Sequence, residues 1–329
     1  MAKYSTLAAP LASDLTWETA QQWDLGIDLT MLNNRLNITL DGYIRNTKDL
    51  LANVSTNAGV TLGDELLQNV GSLRNYGLEL SFDVKPVVTK DFTWDLTYNV
   101  GWNKNKITSL RAGDSDWVWV NSTKAARGNN NRLQRNKVGE PINSFFVYQQ
   151  VYDDNGKPIE GLYVDRDHNG VIDDGDRYYY KSPAPDVIMG LTSKFLYKNW
   201  DLSFSLRASL GNYVYYYNLA NKAKVCDSGL YSHGAFENST PEAVALGFTG
   251  LTTAMNSVSD YFIRNASFLK CSNITLGYTF PALMKCGTHE YFAGRVYFTV
   301  QNPFIITKYQ GLDPEVANGV DSDPYPRPV

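Results

Sequence analysis

An all-β fold, an antiparallel transmembrane β-barrel segment, is what the sequence predicts, and three observations carry it. Apolar and polar residues alternate with period two over long segments, the signature of strands whose two faces meet different surroundings. These segments often run ten or more residues, where strands of water-soluble domains usually run about five or six. Connections alternate between short, near Asn33, Lys90 and Asn199, and long, roughly 46–73, 104–143, 152–185 and 211–261. Short turns at one rim and long extracellular loops at the other are the layout of an outer-membrane barrel.

Taken in order, the first segment carries Trp23, Leu25, Ile27, Leu29 and Met31 against Gln22, Asp24, Gly26, Asp28 and Thr30. After Asn33-Asn34 it resumes as Leu36, Ile38, Leu40, Gly42 and Ile44 against Asn37, Thr39, Asp41, Tyr43 and Arg45, a hairpin on a short turn. The second hairpin sets Leu78, Leu80, Phe82 and Val84 before Lys90-Asp91, then Phe92, Trp94, Leu96, Tyr98, Val100 and Trp102. A third pairs Val187 to Tyr197 with Trp200 to Leu210 across Lys198-Asn199, and a fourth pairs Ile274 to Phe280 with Val296 to Phe304. Phe145 to Val151 reads as one more strand between long loops, giving about nine. Phe92, Trp94, Tyr197, Trp200, Phe280, Tyr291 and Phe292 bunch at the short-turn ends, where an inner aromatic girdle is expected.

Composition agrees with this reading. Of 329 residues, 43% are apolar and 13% aromatic, yet mean hydropathy is −0.32 and no apolar run approaches the roughly 18 residues of a membrane helix. A closed barrel satisfies its backbone between strands and needs only its outward half to be apolar. A water-soluble sandwich with one wet face is the competing reading, and it predicts shorter strands. The net charge of −4 is spread along the chain, so no basic field exists to hold a nucleic acid. Cys226, Cys271 and Cys286 are too scattered for a disulfide framework or structural zinc site. His168, His233 and His289 sit in expected loops without a nucleophile motif, so no catalytic residue is assigned and the protein is not expected to be an enzyme.

The sharpest local motif is the run from Asp165 to Asp176. Asp165, Asp167 and Asn169 stand at positions 1, 3 and 5, Gly170 at 6, the Val171 carbonyl at 7, and Asp173 and Asp176 at 9 and 12. That is the ligand spacing of an EF-hand calcium loop, although position 12 is Asp rather than Glu and Tyr178 to Tyr180 read as extended, not helical. Either the loop holds structural Ca2+ or it is a solvated acidic loop. Trp117 and Trp119 lie far from strand ends and are the candidates for stacking on a substrate. Tyr213, Tyr215, Tyr216 and Tyr217 are read first as an outer aromatic girdle. Asp24, Asp28, Asp41, Arg45, Glu79, Asp83, Asp95 and Arg207 fall on the polar face and would line the barrel interior.

Several segments carry a family resemblance. Leu15-Thr16-Trp17-Glu18, Thr47-Lys48-Asp49-Leu50-Leu51, Asn69-Val70-Gly71-Ser72-Leu73-Arg74-Asn75-Tyr76-Gly77, Val138-Gly139-Glu140-Pro141, Asp260-Tyr261-Phe262-Ile263-Arg264-Asn265, Gln301-Asn302-Pro303-Phe304, Gly311-Leu312-Asp313-Pro314-Glu315 and Tyr325-Pro326-Arg327-Pro328 resemble the barrel of SusC/RagA-type TonB-dependent outer-membrane transporters. The resemblance implies import of glycans or peptides across the outer membrane of a Bacteroidetes-type bacterium, with a SusD-like surface lipoprotein and the TonB complex as partners and outer-membrane lipid around the wall. It implies a barrel of about 22 strands, of which nine would be less than half. Residues 1–329 are therefore expected to be an internal part of the carboxy-terminal barrel, without signal peptide, plug or last strand. A non-transporting outer-membrane binding or adhesion barrel is the alternative.

Overall fold

The computed structural model describes residues 15–55, 65–110, 116–120, 124–125, 132–221, 241–248, 257–280, 285–286, 289–290, 294–311 and 313–322. Its main feature is a sheet of eight antiparallel strands paired in sequence order: β1 (Thr19–Met31), β2 (Leu36–Ser55), β3 (Glu65–Val88), β4 (Phe92–Leu110), β5 (Val187–Tyr197), β6 (Trp200–Leu210), β7 (Phe268–Phe280) and β8 (Gly294–Thr307). Strand lengths of 11 to 24 residues bear out the long-strand expectation. The turn between β1 and β2 holds Leu32, Asn33 and Asn34 at positive φ, a conformation the short polar Asn side chain tolerates.

Register keeps one face apolar across all eight strands. Trp23 faces Ile44, Ile44 faces Tyr76, Leu78 faces Trp102, Tyr98 faces Leu191, Leu191 faces Leu206, Phe204 faces Ile274 and Ile274 faces Val300. These side chains are open to the exterior, Leu25 at 79% and Phe298 at 70%. An apolar face this large and this exposed is that of a wall solvated by lipid. Near the short turns Trp94 stacks on Phe195 at 5.6 Å, and Trp200 meets Tyr278 at 4.8 Å. Phe92, Tyr197 and Phe280 lie at the same rim, as expected for the girdle; Tyr291 and Phe292 lie outside the described residues. Ser193 is a polar residue within the apolar band of this face, and the Trp94 indole N–H donates to its Oγ at 2.9 Å, as a polar group in hydrocarbon requires.

Glycines on the inner face make room for their neighbours' polar side chains. A Cβ at Gly277 would stand 2.5 Å from the Asp201 carboxylate and 2.6 Å from the Arg295 guanidinium, the bidentate pair that crosses it. At Gly77 it would meet the Tyr43 hydroxyl at 2.8 Å, which accepts from Asn103 Nδ2 at 2.6 Å.

The wall holds eight of the nine expected strands. Phe145 to Val151 instead forms two short pieces, Phe146–Tyr148 and Gln150–Tyr152, each in its own two-stranded sheet away from the wall. Phe145, Val147 and Tyr148 are at most 1% exposed. Consecutive rather than alternating apolar residues mark a strand buried on both sides, so the expected loops 104–143 and 152–185 are one connection. Among the described residues, the large cluster of buried side chains is here rather than in the sheet. Leu133, Phe145, Val147, Tyr148, Tyr215, Leu219, Val258, Phe262, Ile263 and Val320 pack together from the two long connections and the segment after β8, forming a cap at the long-loop rim.

Candidate functional site

The inner face and the cap supply the polar and aromatic groups that a ligand could meet. Asp24, Asp28, Asp41, Arg45, Glu79, Asp83, Asp95 and Arg207 all occupy inner-face positions of the register, as the alternation predicts. Thr39 donates to Asp28 at 2.7 Å and Thr97 to Asp83 at 2.5 Å, and Lys85 lies 3.8 Å from Asp95. A cavity of about 380 Å³ against this face is lined by Asp41, Tyr43, Glu79, Asn99, Asn103 and Asp186. A second, of about 500 Å³, lies between Arg207, Asn212, Phe268, Pro183, Pro185 and Glu315. Both reach the lower limit of small-ligand sites, about 300 Å³.

Glu315 is a residue that sequence reasoning missed. Its carboxylate takes Arg207 at 2.5 Å and Lys270 at 3.0 Å, so the segment after β8 is drawn back onto the inner wall. The partners stand 108 and 45 positions away in sequence, and no local spacing signals them.

Trp117 and Trp119 lie on a short strand paired with Arg135–Lys137, at the side of the cap. They enclose Arg135, whose Cζ lies 4.7 Å from the Trp117 ring centroid, 5.5 Å from Trp119, 3.4 Å from Phe146 and 5.2 Å from Tyr179. Arg135 Nε also donates to the Tyr179 hydroxyl at 2.6 Å. A guanidinium stacked between rings holds them in place, and both tryptophans keep partial exposure. The Tyr213 to Tyr217 run belongs to the cap rather than to an outer girdle. Tyr215 is fully buried and donates to the Ser257 carbonyl at 2.7 Å, and Tyr216 packs on Tyr309.

The acidic run folds as a compact loop ahead of a strand, with no flanking helix of the EF-hand kind. Asp165, Asp167 and Asp176 place one oxygen each within 4.8 Å of one another. Gly170, at φ +83°, sends its N–H to Asp165 Oδ2 at 2.9 Å. Asn169 Oδ1 accepts from the Val171 N–H and Asp173 Oδ1 from the Gly175 N–H, both at 2.7 Å. Asp176 is fully buried. Backbone N–H groups, foremost that of Asp173, hold its carboxyl below the usual carboxylate range while burial opposes them. Asp165 Oδ1 is buried with no hydrogen-bond partner. The loop thus brings the carboxylates of Asp165, Asp167 and Asp176 together, while Asn169 Oδ1 and Asp173 Oδ1 each accept a backbone N–H.

Two further carboxylates pin the cap. Asp260 accepts from the Gln150 N–H at 3.0 Å and the Tyr178 hydroxyl at 2.7 Å, and burial pushes its pKa up against those bonds. Asp321 accepts from the Tyr309 hydroxyl at 2.6 Å and is likewise raised by burial. Neither carries a sequence signal, because each is defined by a partner in another segment.

Comparison with known proteins places the geometry. The model of a family described as TonB dependent receptor-like, beta-barrel, matches residues 3–302. The chain is 57% identical to TonB-dependent receptor SusC of Bacteroides thetaiotaomicron over 98% of its own length and 32% of that protein's. It is 31% identical to TonB-dependent receptor P3 of Formosa agariphila, over 92% of the chain and 31% of the relative. Among solved structures it superposes on the RagAB peptide importer in its closed-closed state with a TM-score of 0.71 at 25% identity, covering 95% of this chain and 34% of that one. The chain spans about a third of the length of the curated relatives it matches.

Proposed function

The chain belongs to the TonB-dependent receptor β-barrel family of the bacterial outer membrane, and from that premise we propose that it forms part of the wall of a SusC/RagA-like nutrient importer. The observation that carries the proposal is the division of one continuous sheet into an apolar, exposed outer face and a polar inner face to which the segment after β8 is tied. Such a wall lets a polar solute pass through a lipid layer without meeting the lipid. The imported solute is a glycan or a peptide, captured with a SusD-like surface lipoprotein, and transport is energised through TonB. Trp117 and Trp119, held around Arg135, are the stacking residues we assign to the substrate side. The test is uptake of fluorescent oligosaccharides and peptides by cells in which the gene carrying this chain is disrupted. Disruption is expected to abolish uptake of one class, with TonB inactivation reproducing the loss. Unchanged uptake of both classes contradicts the proposal.

We also infer that the loop 165–176 holds a calcium ion that orders the connection, with Asp165, Asp167 and Asp176 as its carboxylates and Asn169, the Val171 carbonyl and Asp173 completing the oxygen set. Two observations favour it: three carboxylates gathered within 4.8 Å, and the buried, unpartnered Asp165 Oδ1. Like charges this close repel unless a cation or proton lies among them. Calorimetry on the intact transporter is expected to show calcium binding that Asp167→Ala weakens at least about tenfold, as loss of one hard oxygen ligand and its charge predicts. No calcium affinity, or equal affinity in the variant, contradicts the assignment.

A further inference from the structure

On the lipid-facing side, the apolar band stops at a definite height and basic residues begin. Outward positions of β3 run Val84, Phe82, Leu80, Leu78 and Tyr76 from the short-turn rim upward, and the next outward residue is Arg74. On β4 the same series is Leu96, Tyr98, Val100 and Trp102, then Lys104 and Lys106; on β2 it is Leu36 to Ile44, then Asn46 and, where the register is set by β1 after the pairing with β3 breaks, Lys48. Tyr76 to Val84 is nine residues, the length with which a tilted strand crosses the hydrocarbon, about 9–11 residues. Tyr76 and Trp102 meet edge to face at 5.8 Å, as aromatics at the membrane interface do. The bases one step beyond them therefore stand at headgroup height on the long-loop, extracellular side.

Their pairing is unusual for a sheet. Arg74 and Lys106 are direct cross-strand partners, and like charges in that position destabilise a sheet. Lys104 is neutralised by Asp186 at 2.5 Å, whereas among the described residues Arg74, Lys106 and Lys48 form no ion pair. All three are exposed, and Arg74 Nε donates to Asn46 Oδ1 at 2.8 Å, which turns it along the wall. On the inner face Lys85, Arg207, Lys270 and Arg295 each have a carboxylate, whereas Arg45 and Lys194 form no ion pair among the described residues. Unneutralised bases set side by side outside the wall, at the height of lipid headgroups, are complementary to an external anion. Arginine and lysine together suit phosphate, which takes the guanidinium fork and the ammonium point charge.

We propose that Arg74, Lys106 and Lys48 form a site on the outside of the barrel wall that binds the phosphate groups of outer-leaflet lipid. The proposal rests on the reading of the sheet as a membrane wall. It assigns the row a role in seating the transporter in its leaflet, separate from the polar interior.

The test uses the intact transporter that carries this chain, titrated in detergent with diphosphoryl lipid A or its dephosphorylated form and followed by native mass spectrometry. Arg74→Gln combined with Lys106→Gln is expected to weaken binding of the phosphorylated lipid about thirtyfold, from roughly fivefold per charge at an anionic surface. Arg45→Gln, one residue from the row but on the inner face, is expected to leave it unchanged, and the dephosphorylated lipid should bind weakly throughout. Wild-type affinity in the double variant, equal affinity for both lipids, or an equal loss in Arg45→Gln overturns the site. Heat-modifiable migration of wild type and variants is read in parallel. A wild type without it refutes the membrane wall and the site together, whereas a heat-modifiable wild type that ignores lipid phosphate refutes the site alone.

Discussion

Phe145→Ala is expected to loosen the cap by about 3–5 kcal/mol, the range for removing a fully buried phenyl ring, while leaving the wall assembled. Phe145 has no exposed surface and packs among residues from both long connections and the segment after β8. Its backbone is fixed on both sides: its N–H donates to the Lys181 carbonyl at 2.8 Å, and its carbonyl accepts from the Tyr180 N–H at 3.0 Å. Gly319 stands against the same ring, where an added Cβ would be 3.2 Å from it. A site pinned in this way cannot collapse onto the missing ring, so the cost falls at the upper part of the range. Limited proteolysis of the intact transporter in membrane vesicles should show cleavage within 111–186 and 211–267 accelerated by about three orders of magnitude, provided opening is fast relative to cutting. Heat-modifiable migration should be unchanged. Loss of both together would mean that cap and wall unfold as one unit.

The difference in how wall and cap were legible has a physical cause. Lipid on one side and a polar interior on the other force strict alternation, so the membrane-crossing parts of β1 to β8 could be read residue by residue. Beyond the apolar band both faces are wet and the constraint lapses. The extensions of β2 to Ser55, of β3 back to Glu65 and of β4 to Leu110 therefore read as loops. Phe145 to Val151 shows the opposite case: an apolar run without alternation reads as a wall strand, whereas its Phe146–Tyr148 part is buried on both sides. The cap carries no local period, because Tyr215, Phe262 and Val320 meet only through tertiary packing.

The same distinction holds for the candidate sites. The convergence of Asp165, Asp167 and Asp176 was legible because the spacing of a tight loop fixes it within twelve residues. The enclosure of Arg135 by Trp117, Trp119, Phe146 and Tyr179 was not, since its members come from strands paired across long connections. The basic row of Arg74, Lys106 and Lys48 was visible in principle as the point where alternation continues but outward residues turn from aromatic to cationic. Its cross-strand neighbours needed the register.

The central claim is that the apolar face of this sheet contacts lipid while its other face lines a polar interior, and two adjacent residues near the middle of β5 test it. Leu191 lies between Tyr98 and Leu206 on the outer face; Thr192 lies between Thr97 and Ser205 on the inner face, 3.1 Å from the Ser205 hydroxyl. Arginine at the bilayer midplane costs about 2–4 kcal/mol on a lipid-facing strand position and much less toward the interior. Urea unfolding of the intact transporter in vesicles, followed by the heat-modifiable band, measures both. The account predicts that Leu191→Arg lowers stability by about 2–4 kcal/mol and Thr192→Arg by under about 1 kcal/mol. Equal losses, or a larger loss for Thr192→Arg, would contradict it.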